Sequence, residues 1–324
     1  MSHLDGYVKW LRDHVGHKLI YLVYVIAFVF DENDHLLVQE RYDFDWLSVP
    51  GGVYEPHETI TETVIRETLE ETGIPCEVEE FIGVFSHPDY NLLYPNGDRV
   101  QPWTAAFKCR ARSNDIKVDG AETLQAAFEP VDMVKHRLPL QYQHALDTIT
   151  SGTSPFIEPI YFGPDLQPYY PVLRQHVGKA KIILPGCVAA IFNDAREVLA
   201  VHKVHTDFWF LPGGLSDLGE TTSGTVYRET LEETGLEIAP KRIIGLYSEP
   251  QLMYIKTKSG DELQTVDLLL ECEITGGSIK PDGIEIDAVE FKSIDWLLSQ
   301  SNCKSIHIQY LQDLKNRGKT PVIR

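Results

Sequence analysis

Glu67, Glu70 and Glu71 crowd one short stretch, GGVYEPHETITETVIRETLEETGI, residues 51–74. It carries six glutamates in 24 residues, and Arg66 is its one Lys or Arg. A helix advances about 100° per residue, so these three carboxylates share an arc of roughly 100°. Val64, Ile65, Thr68 and Leu69 lie on the other side and are expected to face a core. Like charges one turn apart destabilise a helix, so the cluster calls for a counter-charge. Clustered carboxylates suit hard divalent cations such as Mg2+ or Mn2+, which take oxygen ligands and share them with phosphates. The alternative is a solvated acidic helix face.

Two features favour the cation. Pro50-Gly51-Gly52 precedes the helix, and paired glycines let backbone approach a ligand closely. The arrangement also recurs as GGLSDLGETTSGTVYRETLEETGL, residues 213–236. An offset of 162 places Arg66 on Arg228 and Leu11-Arg12-x-His14-Val15-Gly16 on Leu173-Arg174-x-His176-Val177-Gly178. It also pairs Phe30 with Phe192, Leu37 with Leu199, and Pro88 with Pro250. One inserted residue then shifts the offset to 163, pairing Cys109 with Cys272 and Asp119-Gly120-x-Glu122 with Asp282-Gly283-x-Glu285. A repeat this long is a domain duplication. The expected domains are 1–155 and 156–324, joined by the Pro-, Gly- and Ser-rich stretch 150–168.

The elements that must position these residues are legible in one repeat. Residues 7–15 read as a short helix, and 21–30, rich in β-branched and aromatic residues, as a buried strand. LLVQER (36–41) reads as the next strand. The Gly-Gly loop leads into a helix over about 59–72. Thr59 with Glu62 fits a capping box, and Gly73 is a natural terminator. PNGD between YNLLY and VQPWTAAFKCRA signals a hairpin. A strand at 124–130 and a helix at 138–149 follow. The fold class is α/β (α+β): in each half, a mixed sheet flanked by helices on both faces.

With these residues in place, the chain resembles the Nudix (MutT-like) family, whose box reads G-x5-E-x7-R-E-U-x-E-E-x-G-U, with U a bulky aliphatic residue. Gly52, Glu58, Arg66, Glu67, Glu70, Glu71, Gly73 and Ile74 fill it once; Gly214, Glu220, Arg228, Glu229, Glu232, Glu233, Gly235 and Leu236 fill it again. Thr68 and Thr230 stand where an aliphatic U belongs, and each hydroxyl then needs a partner such as the carbonyl four residues back. Gly224, inside the second helix, is expected to cost about 1 kcal/mol relative to Ala.

The resemblance implies tandem α/β/α sandwiches. It also implies metal-dependent hydrolysis of a diphosphate linkage in a small nucleoside diphosphate derivative: a nucleotide sugar, an ADP-ribose-like compound or a nucleoside triphosphate. Water attacks phosphorus. Carried over residue by residue, Glu67, Glu70 and Glu71 with the Gly51 carbonyl hold Mg2+ or Mn2+, as do Glu229, Glu232 and Glu233 with Gly213. Glu70, Glu71, Glu232 and Glu233 thereby belong to the catalytic set. Glu58 with Arg66, and Glu220 with Arg228, are structural pairs. Glu122 and Glu285 are the favoured general bases, with ordinary loop acids as the alternative. Arg41 and Lys203 can reach a phosphate or simply end a strand. Trp46 and Trp209, with Phe44 and Phe208, can stack on a base or pack into hairpins. The competing class is a nucleotide sensor without turnover, in one domain or both; both boxes keep every glutamate, which favours the enzyme.

Composition bounds the partners. The 324 residues carry a formal net charge of −19 and are 43% hydrophobic. Long nucleic acids need clustered Lys and Arg, so the expected partner is a small phosphorylated substrate. The five cysteines are widely spaced, without Cys-x-x-Cys, and read as free thiols in a reducing compartment. The N-terminus lacks the apolar core of a signal peptide, and no run is apolar enough for a membrane span. The expectation is a cytoplasmic protein whose two domains pack as an intramolecular pseudo-dimer.

Overall fold

The structure, a computed structural model, describes residues 6–42, 44–118, 120, 122–153, 155–204, 208–300 and 305–324. Asp119 and Cys303 lie outside the described residues. The chain divides into two compact units, Met1–Phe156 and Ile157–Arg324. The strand Phe162–Gln167 falls within the stretch read as the joint and pairs with Leu218–Glu220.

In the first unit the central strand Leu19–Phe30 runs parallel to Arg99–Ala111. Gly51–Val53 pairs antiparallel with its middle, putting Gly51 opposite Ile26. Cys76–Phe85 closes the far side of Arg99–Ala111, and Leu36–Arg41 pairs with Thr123–Glu129. The helix Ile60–Thr72 packs on the strands Leu19–Phe30 and Cys76–Phe85. The helix Leu140–Ser151 sets Ala145 and Leu146 into a core with Ile26, Phe28, Phe30 and Ala106. The PNGD hairpin forms, with Leu92 opposite Val100.

The second unit repeats this plan. Ile182–Ile191 runs parallel to Glu262–Gly277 and pairs with Gly213–Leu215. The helix Thr222–Thr234 follows the Gly-Gly loop, and Ser305–Lys315 contributes Tyr310, Leu311 and Leu314 to the core. The first unit is thus one mixed sheet flanked by helices, and the second divides its strands among a mixed six-stranded sheet and two smaller ones, again with flanking helices.

The shared LRxHVG segments are anchors. Arg12 donates to the carbonyls of Gly16, Lys18 and Arg99. Arg174 does the same to Gly178, Ala180 and Glu262. Each locks its short first helix onto the parallel strand pair.

The helix Ile60–Thr72 starts and stops where its sequence says. Thr59 and Glu62 form the reciprocal capping box, and Gly73 ends the helix at φ 71°. Its rotation differs from the expectation. Val64 and Thr68 are buried, but Ile65 is 40% and Leu69 48% exposed, while Glu71 is only 4% exposed. The helix is rolled so that Glu71 lies under the Gly-Gly loop, which draws Ile65 and Leu69 into solvent.

Candidate active site

The Gly-Gly loop and its helix bring the box residues of the first domain together around two cations. Arg66 makes a bidentate pair with Glu58, Nε at 2.9 Å and Nη2 at 2.7 Å. Its Nη1 donates to Glu67 at 2.9 Å and Glu70 at 3.0 Å. Glu71 points elsewhere. It accepts from the Gly51 amide at 2.9 Å, Gln39 Nε2 at 2.9 Å and Arg41 Nη1 at 2.5 Å. Arg41 also lies 3.5 Å from Glu122, linking the metal-ligand and general-base candidates. The three glutamates expected to converge are therefore parted. Among the described residues no three acidic, His or Cys side chains stand together as a metal cage.

Burial shapes these acids. It pushes Glu67 up to about 7, against the pull of Arg66 and with the repulsion of Glu71 and Glu70 adding to it. Burial raises Glu71 too, opposed by Arg41, Gly51 and Gln39.

A cavity of about 630 Å3 opens beside them, lined by Arg41, Trp46, Gly52, Glu67, Glu70 and Tyr24 among others. Trp46 stacks on Phe44 at 4.1 Å, and Phe44 tilts against Tyr94 at 5.2 Å. The hydroxyls of Tyr24 and Tyr94 meet at 2.9 Å.

The second domain keeps the plan and changes the details. Arg228 pairs with Glu220 through Nε at 2.9 Å and Nη2 at 2.8 Å, and reaches Glu229 at 2.8 Å and Glu232 at 3.4 Å. Glu220 is completely buried and also accepts from Thr225 and the Asp217 amide. Glu233 accepts from the Gly213 amide at 3.0 Å. Where Gln39 stands in the first domain, the second has Val201, which offers no donor. Burial raises Glu229 to about 7 and Glu233 to about 8. Lys203 holds Glu285 at 2.9 Å, so again the cation and base candidates meet.

Trp209 is not placed like Trp46. It pairs with His202 as Leu47 pairs with Glu40, and Phe208 holds the register of Trp46. Trp209 instead packs against the second core, with Lys292 Nζ 4.9 Å from its ring and 4.7 Å from that of Trp296. Proximity to the Gly-Gly loop in the sequence does not resolve this one-position shift, which flips a strand residue to the other face.

The sequence profile of the NUDIX domain matches residues 21–149 and again 184–314. The chain belongs to the Nudix family. It is 48% identical over 114 residues to the ADP-ribose pyrophosphatase of Methanocaldococcus jannaschii, covering 34% of this chain and 63% of that protein. It is 32% identical over 108 residues to the putative 8-oxo-dGTP diphosphatase of Bacillus subtilis, covering 33% of this chain and 65% of that protein. The chain thus spans just under two thirds of both. An ADP-ribose pyrophosphatase structure from Streptococcus suis aligns at 20% identity with a TM-score of 0.33, over 43% of this chain and 97% of that one.

The Nudix loops fit a divalent cation on their own geometry. A Cβ on Gly52 would lie 2.2 Å from Glu67 Cδ, and one on Gly214 2.4 Å from Glu229 Cδ. The second glycine therefore lets a carboxylate lie directly against the loop backbone. The donors are hard oxygens, and burial, with a smaller push from neighbouring carboxylates, raises proton affinities that a cation would lower. Gln39 is the residue that motif reading missed. Its one signal is position, two residues before Arg41 and so on the same strand face.

Proposed function

We propose that this Nudix chain hydrolyses a diphosphate linkage in a small nucleoside diphosphate derivative, with both domains built for the reaction. The observation that carries the reading is the glycine cradle at Glu67, recurring at Glu229, beside a second glutamate tied to the preceding glycine's amide. Glu67, Glu70 and Glu71 with the Gly51 carbonyl would hold Mg2+ or Mn2+, as would Glu229, Glu232 and Glu233 with Gly213. The cation supplies Lewis acidity and neutralises charge on the phosphates.

The chain's own residues do the rest. Arg66 and Arg228 hold the loop against the helix through Glu58 and Glu220. Arg41 and Lys203 orient Glu122 and Glu285, which take the proton from the attacking water. The water oxygen bonds to phosphorus, and the bridging P–O bond breaks with its electron pair on the leaving phosphate. In the first domain Trp46 and Phe44 offer a stacking wall for the base. Relatives named for ADP-ribose and 8-oxo-dGTP set the first substrates to try. Hydrolysis in heavy-oxygen water with Mg2+ should place the label on a phosphate product. Label on a sugar hydroxyl, or turnover indifferent to EDTA, contradicts the reading.

A further inference from the structure

In the first domain a buried polar pair stands behind Glu71. The Thr123 hydroxyl donates to Gln39 Oε1 at 3.2 Å, and Gln39 Nε2 donates to Glu71 Oε2 at 2.9 Å. The same Oε2 accepts from the Gly51 amide at 2.9 Å. Each link has a fixed direction. A carboxylate only accepts, so the Gln39 amide must turn its NH2 toward Glu71 and its oxygen away, where the Thr123 hydroxyl meets it. Gln39, Thr123 and Glu71 are all buried, and a buried polar group left unpaired is costly.

The second domain keeps the frame and drops the pair. In both domains the ladder shifts register just before the cation that ends the strand, and Arg41 then partners Thr123 as Lys203 partners Ile286. Two residues back stand Gln39 and Val201. Val201 and Ile286 are buried, so the same fold accommodates two apolar side chains at these positions. Glu233 keeps the loop contact, Oε2 accepting from the Gly213 amide at 3.0 Å, but has no amide from this strand to fix it. Packing therefore does not require a polar pair at 39 and 123; what the pair does is hold one carboxylate against the loop.

We infer that Gln39, itself fixed by Thr123, is a positioning residue for Glu71 and makes the first domain the tighter of two divalent-cation sites. The inference rests on the reading that both loop–helices hold Mg2+ or Mn2+. A partner that orients a metal-binding side chain is worth roughly ten- to a hundredfold in affinity. Glu71 is already directed before a cation arrives, whereas Glu233 must be ordered as the cation binds. At limiting Mg2+ the first domain then works alone, and the second joins as the cation concentration rises.

Titration of the full chain with Mn2+, with the free ion read from its EPR signal and no nucleotide present, tests this without turnover. The wild type should show two classes of site differing by about tenfold or more. Glu71→Gln should remove the tighter class and Glu233→Gln the weaker. Gln39→Val with Thr123→Ile, which installs the second domain's pair, should weaken the tighter class until the two coincide. Val201→Gln with Ile286→Thr should tighten the weaker class, a gain that a merely structural role for the pair would not produce. Two equal sites in the wild type, loss of the weaker class in Glu71→Gln, or an unchanged tight class in the folded Gln39→Val, Thr123→Ile chain would overturn this inference alone, and the first two comparisons require neither exchange of the pair to fold. A chain that binds no Mn2+ refutes the metal-site reading and this inference with it. One that shows both classes as expected but hydrolyses no diphosphate refutes the hydrolase reading alone.

Discussion

Thr68 and Thr230 occupy the same helical position and meet different surroundings. The Thr68 hydroxyl donates to the Val64 carbonyl at 2.7 Å. The Thr230 hydroxyl is buried and has no hydrogen-bond partner. Valine matches threonine in volume and removes the hydroxyl. Thr230→Val should therefore stabilise the second domain by about 1 kcal/mol, whereas Thr68→Val should cost the first roughly 0.5–1.5 kcal/mol. Urea unfolding of the two variants checks the opposite signs, and a loss in both would refute the contrast. At this scale the sequence showed which box residues share one loop and helix, because their spacing is rigid along a helix. It did not show that Glu71 turns toward Gln39 and Arg41, since those partners come from a strand some thirty residues away. Nor could it show that Arg66 would bridge Glu58, Glu67 and Glu70 at once, because that depends on where a long side chain settles among three carboxylates.

Gly224 shows how an element can overrule its own propensity. Helix propensity alone gives Gly224→Ala a gain of about 1 kcal/mol. In the structure a Cβ there would meet the Tyr161 carbonyl oxygen at 2.6 Å and Phe162 at 3.3 Å. The segment at 159–162 lies against this helix start: Thr221 Oγ1 donates to the Pro159 carbonyl and accepts from the Tyr161 amide. Gly224 stands where Glu62 completes the capping box of the first helix, so the second helix gives up that box to admit the neighbouring strand. The contact is with backbone, which has little room to yield. Gly224→Ala should destabilise the second domain by about 1–3 kcal/mol, measured as a lower denaturant midpoint with unchanged slope. A stabilised variant would mean the segment is not seated there. The elements themselves were readable wherever capping, turn and alternation signals agreed. The strand Cys76–Phe85, with glutamates at 77, 79 and 80, lacked such a signal and was not anticipated.

Across the whole molecule the duplicated domains share a loop–helix and diverge around it. The second ties its last helix to its sheet through charge. Asp313 accepts from Arg324 at 2.7 and 2.9 Å, from Tyr247 at 3.1 Å and from Gln309 at 3.1 Å. Burial alone would raise its carboxyl, but these donors outweigh it and hold the value below the usual range. A depressed carboxyl stabilises the fold above its unfolded value of about 4 and loses that contribution as pH falls through the native value. Asp313→Asn should therefore cost roughly 1–3 kcal/mol at neutral pH, with the gap to wild type closing in acid. A gap independent of pH would contradict the assignment.

The central claim is that both loop–helices perform diphosphate hydrolysis, and charge-neutral replacement of one glutamate in each tests it most directly. Initial rates with Mg2+ should be measured on ADP-ribose and a panel of nucleotides for the wild type, Glu71→Gln, Glu233→Gln and the double variant. Each single variant should lose the activity of its own domain, and the double variant should fall by about a hundredfold or more, as removal of electrostatic catalysis does. A double variant as active as the wild type, or a wild type that binds a nucleotide tightly yet hydrolyses no diphosphate, would contradict the account.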